Sequence, residues 1–288
     1  MAANMKAVKL RIRSVQNTMQ ITRAMELVAS SKLRKAKERA DQCRPYFQEL
    51  YRTLDTIAAE NTEFTSVYAR EASSDRWCYV VVAGDRGLAG GYNSNLFKRL
   101  ELESKGKDCV VLPIGKKAVE YFKRRQVPIL TEAFAEVASI TVGDCFEMAN
   151  LVCREFKEGN FGHISLCYTR FLSMLSQQPD FIPALPLLDL TGDNDEKYDK
   201  GQIRDLILYE PGSNEVFDAI VPEYLAGLIY GAVCEGAVSE LAARRMAMEA
   251  ATNNAEEMIE KLNLNYNRAR QASITQEITE IVAGAEGV

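Results

Sequence analysis

The first 83 residues contain no glycine, and across the first sixty the apolar side chains recur at steps of three and four. Val8, Ile12, Val15 and Met19 begin the series, and Ile21, Met25 and Val28 continue it. Leu33, Ala36, Ala40, Cys43, Phe47, Leu50, Leu54 and Ile57 carry it on. Steps that alternate three and four draw a narrow stripe along a helix, the seam through which one helix packs along a single partner. The spacing predicts one helix over residues 1–60, which spans ~80 Å at a rise of ~1.5 Å per residue. No globular core needs that length, so the helix is expected to project as a rod. Pro45 removes a backbone donor and crowds the preceding turn, so a local bend is expected there.

A polar linker over 61–75 follows, and then the period changes. Trp77-Cys78-Tyr79-Val80-Val81-Val82-Ala83 is a continuous apolar, β-rich run of the kind buried in parallel sheets. Further strands are expected over 109–114, 163–171, 181–190 and 206–210, with helices over 94–103, 115–125 and 144–157. Strands alternating with helices predict an α/β domain over 76–210, Rossmann-like, with a mainly parallel sheet. The polar stretch 191–197 reads as a surface loop. From about Glu215 the helical pattern returns, with Pro222 at its start or at a kink. Ala255, Met258, Leu262, Tyr266 and Ala269 form a second three-four seam, and Ile274, Ile278 and Ile281 extend an apolar stripe to the tip of a helix over 215–288.

Charge links the two ends. Residues 1–60 carry 12 Lys and Arg against 6 Asp and Glu, a net +6, whereas residues 210–288 carry 5 against 13, a net −8. Two seams of opposite charge, on a chain that must return on itself, predict an antiparallel coiled coil of the N- and C-terminal helices. A basic N-terminal arm also fits nucleic acid, but no aromatic residue precedes Tyr46, so bases have no stacking platform. No run approaches the ~18 apolar residues that span a bilayer. The N-terminus lacks both an apolar leader core and transit-peptide character, so a cytosolic protein with no direct membrane insertion is expected.

The candidates for chemistry are few. The seven cysteines form no CxxC pair, and most have apolar neighbours, as free core thiols do. The single histidine, His163, lies in an expected strand. No zinc site is expected, while a Ser-His-Asp arrangement centred on His163 stays open. The sharpest motif is Gly84-Asp85-Arg86-Gly87-Leu88-Ala89-Gly90-Gly91, placed between a strand and a helix where phosphate loops sit. A P-loop closes on Gly-Lys-Ser/Thr, but here Gly91 is followed by Tyr92-Asn93. The dinucleotide fingerprint needs a different glycine spacing. A tight structural turn is favoured over an anion or nucleotide site. Lys32, Arg34, Lys35, Lys37 and Arg39 form a basic run that reads either as a solvated helix face or as a contact for an acidic protein. The alanines and methionines of 239–248 suit close helix packing.

Three blocks, in order, resemble one family. Ile12-Arg13-Ser14-Val15-Gln16-Asn17-Thr18-Met19-Gln20-Ile21-Thr22-Arg23-Ala24-Met25-Glu26-Leu27-Val28-Ala29 is similar to the N-terminal block of the gamma subunits of F-type rotary ATP synthases. Asp85-Arg86-Gly87-Leu88-Ala89-Gly90-Gly91-Tyr92-Asn93 resembles the family's central glycine turn. Arg268-Ala269-Arg270-Gln271-Ala272-Ser273-Ile274-Thr275-Gln276-Glu277-Ile278-Thr279-Glu280-Ile281-Val282 is nearly its C-terminal consensus. Gln20 stands where a lysine is common, Leu27 where methionine is, and Ala89 where cysteine is frequent. No cysteine-bearing insertion like that of chloroplast members is present.

The resemblance implies a non-catalytic, bacterial shaft without cofactor. It couples proton- or sodium-driven rotation to ATP synthesis and hydrolysis on other subunits. The implied partners are three alpha and three beta subunits around the coiled coil, with the epsilon subunit and the membrane c-ring at the α/β domain. The implied place is the cytoplasmic face of the cell membrane, peripherally. By residue match, Arg23, Met25, Lys32, Arg244, Gln271, Thr275 and Glu277 are the expected contacts to alpha and beta, and Ile274, Ile278 and Ile281 the apolar tip. Two other classes stand beside it: a nucleotide-using enzyme built on the α/β domain, and a static coiled-coil scaffold.

Overall fold

A computed structural model describes residues 2–60, 65–70, 74–188 and 209–286. Two helices dominate, α1 (Ala2–Glu60) and a C-terminal helix, Ser213–Glu286, numbered α5 in chain order. Between them come β1 (Trp77–Val82), α2 (Tyr92–Glu103), β2 (Cys109–Ile114), α3 (Lys116–Arg125), α4 (Val142–Lys157), β3 (His163–Phe171) and β4 (Gln177–Leu185). The chain divides into two compact units. One is Lys32–Ala243, and the other joins Met1–Ser31 to Arg244–Val288.

In the larger unit the sheet order is β2-β1-β3-β4. β1 is parallel to both β2 and β3, and β4 is antiparallel to β3. The sheet is therefore mixed, with its one antiparallel pairing at an edge. The β-rich run of β1 is buried on both faces, as its unbroken hydrophobicity requires. Tyr79, Val81, Val111 and Cys167 point to α2 and α3, meeting Leu96, Phe97, Ala118 and Phe122. Cys78, Val80, Leu112, Ile164 and Leu166 point the other way. They share a core with Met148 and Val152 of α4, Leu54 and Ile57 of α1, and Phe217, Val221, Leu225 and Ile229 of α5.

Several boundaries differ from the sequence expectation. β4 begins at Gln177, four residues before the expected start, because its polar first half, Gln177 to Asp180, lies at the sheet edge. Pro179 and Pro183 are tolerated there since an edge strand has an unpaired side. The expected linker contains a 3-10 turn, Val67–Ala69, capped by Ser66, whose hydroxyl donates to Asp218. Its Tyr68 is buried and stacks on Phe156. Pro45 and Pro222 both lie inside helices. Pro222 is in the tenth position of α5, so the helix starts upstream of it. The expected loop 191–197 and most of the expected strand 206–210 lie outside the described residues.

α5 includes a stretch long and apolar enough, by length and composition alone, to cross a membrane. Half of that stretch is buried within the protein. The apolar residues of α5 from Phe217 to Val233 supply one wall of the α/β core, which accounts for their hydrophobicity without a bilayer.

Candidate functional site

The smaller unit is built on the seam between the terminal helices, an antiparallel coiled coil. Thr22 Oγ1 lies 2.8 Å from Thr252 Oγ1, and both residues are buried. Antiparallel pairing through these two sets a register in which paired positions sum to 274. Met19 then stands opposite Ala255, Val15 opposite Ile259, Ile12 opposite Leu262 and Val8 opposite Tyr266. Each of these eight positions is buried or half-buried. Steps of four and three continue without a slip on both helices, as a seam that never loses its partner requires.

This register corrects the expected seam at two places. Between Met19 and Leu33 the stripe passes through Thr22, Glu26 and Ala29, with Met25 beside it. Ile21 and Val28 are 61% and 55% exposed. On α5 the seam takes Ile259, and Met258 points outward. Following the apolar residues shifts the reading by one position, whereas the helix keeps its phase and accepts threonine and alanine on the seam.

Among the residues expected to make shaft contacts, Arg23 is exposed and Met25 half-buried on α1, and Arg244 is half-buried on α5. Gln271, Thr275 and Glu277 are exposed on α5. Thr275 Oγ1 donates to the Gln271 carbonyl at 3.0 Å, and Ser273 Oγ donates to Glu277 Oε1 at 3.5 Å. Gln271 and Thr275, four positions apart, share one face of the helix, whereas Glu277, two positions beyond Thr275, lies on another. Arg23 stands opposite residue 251, separated along α5 from Gln271 by roughly 30 Å at ~1.5 Å per residue. The expected contacts within the smaller unit are thus dispersed along its helices.

The last turns of α5 follow Tyr266, which stands opposite Val8 in this register. Ile274, Ile278 and Ile281 are all exposed there, with Val282 beside them. A row of isoleucines at helical spacing, facing water, is the kind of surface that another protein covers.

In the larger unit, Lys32, Arg34, Lys35, Lys37 and Arg39 are all exposed on α1. Arg39 Nε donates to the Tyr230 hydroxyl at 2.8 Å and lies over that ring. Burial raises the Tyr230 phenol pKa, and the adjacent guanidinium opposes the rise.

The glycine turn after β1 is closed by the chain's own groups. Asp85 Oδ1 accepts from the backbone N–H of Lys116 at 3.1 Å and of Val137 at 3.0 Å, and Oδ2 from that of Ala138 at 3.1 Å. Lys116 opens α3, and Val137 and Ala138 open a 3-10 turn, so a carboxylate of the protein fills the place a phosphate takes at helix N-termini. The Gly84 N–H donates to Asn93 Oδ1 at 2.9 Å. A Cβ on Gly84 would meet the Glu240 carboxylate at 2.9 Å, so the turn also admits α5 closely. This is a structural turn. His163 stacks its ring on Trp77 at 4.6 Å. Among the described residues no cluster of three or more His, Cys, Asp or Glu is arranged to hold a metal. Asp85 as an internal anion was legible only as a residue next to a glycine, because its donors lie 31 to 53 positions away.

Comparison with known proteins agrees with this arrangement. The ATP synthase family model matches residues 4–288. The ATP synthase gamma chain of Ruminococcus albus is 47% identical over 285 residues, covering 97% of this chain and 96% of that one. The sodium-ion-specific ATP synthase gamma chain of Acetobacterium woodii is 38% identical, with 100% of both chains covered. Among solved structures, a chain of the Euglena gracilis mitochondrial ATP synthase OSCP/F1/c-ring assembly is similar in fold, with a TM-score of 0.67 at 18% identity. That match covers 100% of this chain and 95% of the other. Two long helices paired through an unbroken seam, a glycine turn closed on its own aspartate, and relatives matched from end to end converge on one assignment: this chain belongs to the gamma-chain family of ATP synthases.

Proposed function

We propose that this chain is the central rotary shaft of an F-type ATP synthase, coupling ion-driven rotation to ATP synthesis and hydrolysis on other subunits. Membership of the gamma-chain family, at 47% identity to a curated member, supports the role. The observation that carries the mechanism is the exposed apolar row Ile274, Ile278 and Ile281 near the C-terminal end of α5. An apolar tip of one helix turns in an apolar sleeve without breaking hydrogen bonds, because the contact is non-directional. The two-helix shaft has no threefold symmetry, so three surrounding catalytic sites meet different faces of it at any moment. Coupling requires such differential contacts, since a surface that touched every state alike would shift none of them.

Polar groups near the tip serve as the angular catch. Gln271, Thr275 and Glu277 offer hydrogen-bond partners to catalytic-subunit loops, and each contact is made at one angle and released at the next. Arg23, Met25, Arg244 and Lys32 are the further contacts proposed for the alpha and beta subunits. The α/β domain is the proposed seat for the epsilon subunit and the c-ring, at the cytoplasmic face of the membrane. The chain itself carries no catalytic step. The coupling ion is a property of the membrane ring, and the relatives include both an unqualified and a sodium-specific gamma chain.

The test is reconstitution. Alpha and beta subunits combined with this chain are expected to hydrolyse ATP and to turn a bead fixed to its α/β domain in one direction. A fully assembled complex that hydrolyses ATP without rotation of the chain would overturn the shaft reading in favour of a static scaffold.

A further inference from the structure

Within the larger unit, a trough of about 110 Å³ lies between α1, α5 and the β3–β4 edge of the sheet. Leu228, Gly231, Ala232 and Glu235 of α5 form one wall. These positions fall at i, i+3, i+4 and i+7, one face of the helix over two turns, or ~10 Å at a rise of ~1.5 Å per residue. The floor is Leu166 of β3 with Ile182, its cross-strand partner on β4, and Tyr168 farther along the same face of β3. Ala40 of α1 closes the other side. The middle of the trough is empty because Ala40, Gly231 and Ala232 are small. A glycine inside a helix is unfavourable relative to alanine, so Gly231 leaves this room at the expense of helix stability. The surface is mostly apolar, and a water molecule finds few polar partners on it. The one charged group is Glu235, at the opposite end from Leu228. It is half-buried, and its Oε1 accepts from the Phe171 N–H at 3.2 Å. Among the described residues no lysine or arginine pairs with this carboxylate. A partly desolvated carboxylate without a cation is unfavourable, and a cationic ligand relieves it.

We infer that this trough is a binding site for a small primary alkylammonium ion, with its ammonium on Glu235 and its chain lying along α5 toward Leu228. Size selects the chain. An apolar cavity of about 150 Å³ takes benzene. At about 110 Å³ and two helical turns long, this trough suits a short unbranched chain better than a ring. Charge selects the head group. A primary ammonium carries three donors and makes a charge-assisted hydrogen bond to the carboxylate. A neutral alcohol of the same length gains the apolar contact without the ion pair, and a quaternary ammonium brings charge without a donor. The bound ion touches α1, α5, β3 and β4 together, so it stabilises the fold that holds them in place. The inference does not depend on the shaft reading.

The test is titration of the full-length chain with ethyl-, propyl-, butyl- and pentylammonium chloride at constant ionic strength, read from the methyl NMR signals of Leu166, Ile182, Leu228 and Ala232. These signals are expected to shift and saturate, with affinity rising about two- to fourfold per added methylene. Glu235→Gln should weaken pentylammonium by about five- to tenfold and leave 1-pentanol unchanged. Gly231→Val fills the trough and should abolish the binding of both. Affinity that ignores chain length would overturn the assignment. So would equal affinity in the wild type and Glu235→Gln, or shifts confined to the methyls of Ile274, Ile278 and Ile281. The chain-length series on the wild type decides the matter even if Gly231→Val does not fold. In the complex reconstituted with alpha and beta subunits, pentylammonium should still bind. Its exclusion there would overturn a site for a free amine in favour of a trough filled by a lysine of another subunit.

Discussion

Thr22 and Thr252 share one hydrogen bond across the seam of the coiled coil, and the protons available there are fewer than the bonds. Thr22 Oγ1 also lies 3.0 Å from the Met19 carbonyl, and Thr252 Oγ1 lies 2.9 Å from the Met248 carbonyl. Two hydroxyl protons serve three bonds, so one hydroxyl donates across the seam while the other back-bonds within its own helix. The pair works as a polar register mark on an otherwise apolar stripe. A double-mutant cycle with Thr22→Val and Thr252→Val should give a coupling of about 0.5–1.5 kcal/mol in thermal unfolding. A coupling near zero would show that the two hydroxyls act separately.

Removing the α1 half of the smaller unit should disorder its partner. With residues 1–31 deleted, Val15, Met19 and Thr22 no longer cover Ile259, Ala255 and Thr252. A lone helix with an uncovered seam is marginal in water. Amide exchange over 244–286 is expected to rise to near-unprotected rates. The α/β unit should remain protected, because Leu54 and Ile57, both fully buried in its core, are retained.

Gly115 sits at φ +103°, and a Cβ there would lie 2.2 Å from the Ala83 carbonyl oxygen. No side-chain rotation relieves a clash with backbone at the β1–α3 contact. Gly115→Ala should cost about 2–4 kcal/mol in denaturant unfolding. Gly106, at φ +78° with open space around it, is the control. Gly106→Ala should cost only about 1 kcal/mol, the conformational part alone.

Asp85 receives three backbone N–H groups from two separate segments. Asp85→Ala leaves those donors without their acceptor and should destabilise the larger unit by about 1–3 kcal/mol. Because this carboxylate already occupies the anion position, ATP titrated onto the isolated chain is expected to show no saturable binding. The isolated chain is likewise expected to lack ATPase activity. Saturable nucleotide binding that Asp85→Ala abolishes would refute the structural account of the turn.

At the tip, Gln271→Leu with Thr275→Leu removes polar partners and keeps Ile274, Ile278 and Ile281. In the isolated chain the Thr275 hydroxyl is satisfied by the Gln271 carbonyl, so folding should be little changed. Reconstituted with alpha and beta subunits, the variant should assemble in normal yield. Its ATP turnover should be several-fold lower, since each lost hydrogen bond of about 0.5–1.5 kcal/mol changes a rate up to roughly tenfold. Full turnover in an assembled complex would sink the catch, and failed assembly would make these residues structural.

The order helix, α/β domain, helix was set by local sequence, because period and glycine content are properties of neighbouring residues. The family was equally legible, since its three blocks are contiguous runs. β1 and α4 were readable for the same reason, one through unbroken hydrophobicity and the other through its helical stripe. The phase of the seam was not. Ile21 and Val28 look like seam residues by hydrophobicity, yet only the antiparallel partner fixes which face is covered, and it selects Thr22 and Ala29. Met258 yields to Ile259 for the same reason. The polar half of β4 becomes a strand only when β3 offers its edge, and Asp85 becomes an anion site only when Lys116 and Val137 are brought to it. Local preference determines which elements form, but a covered face or a shared proton is a relation between distant residues, and only tertiary packing supplies the second member.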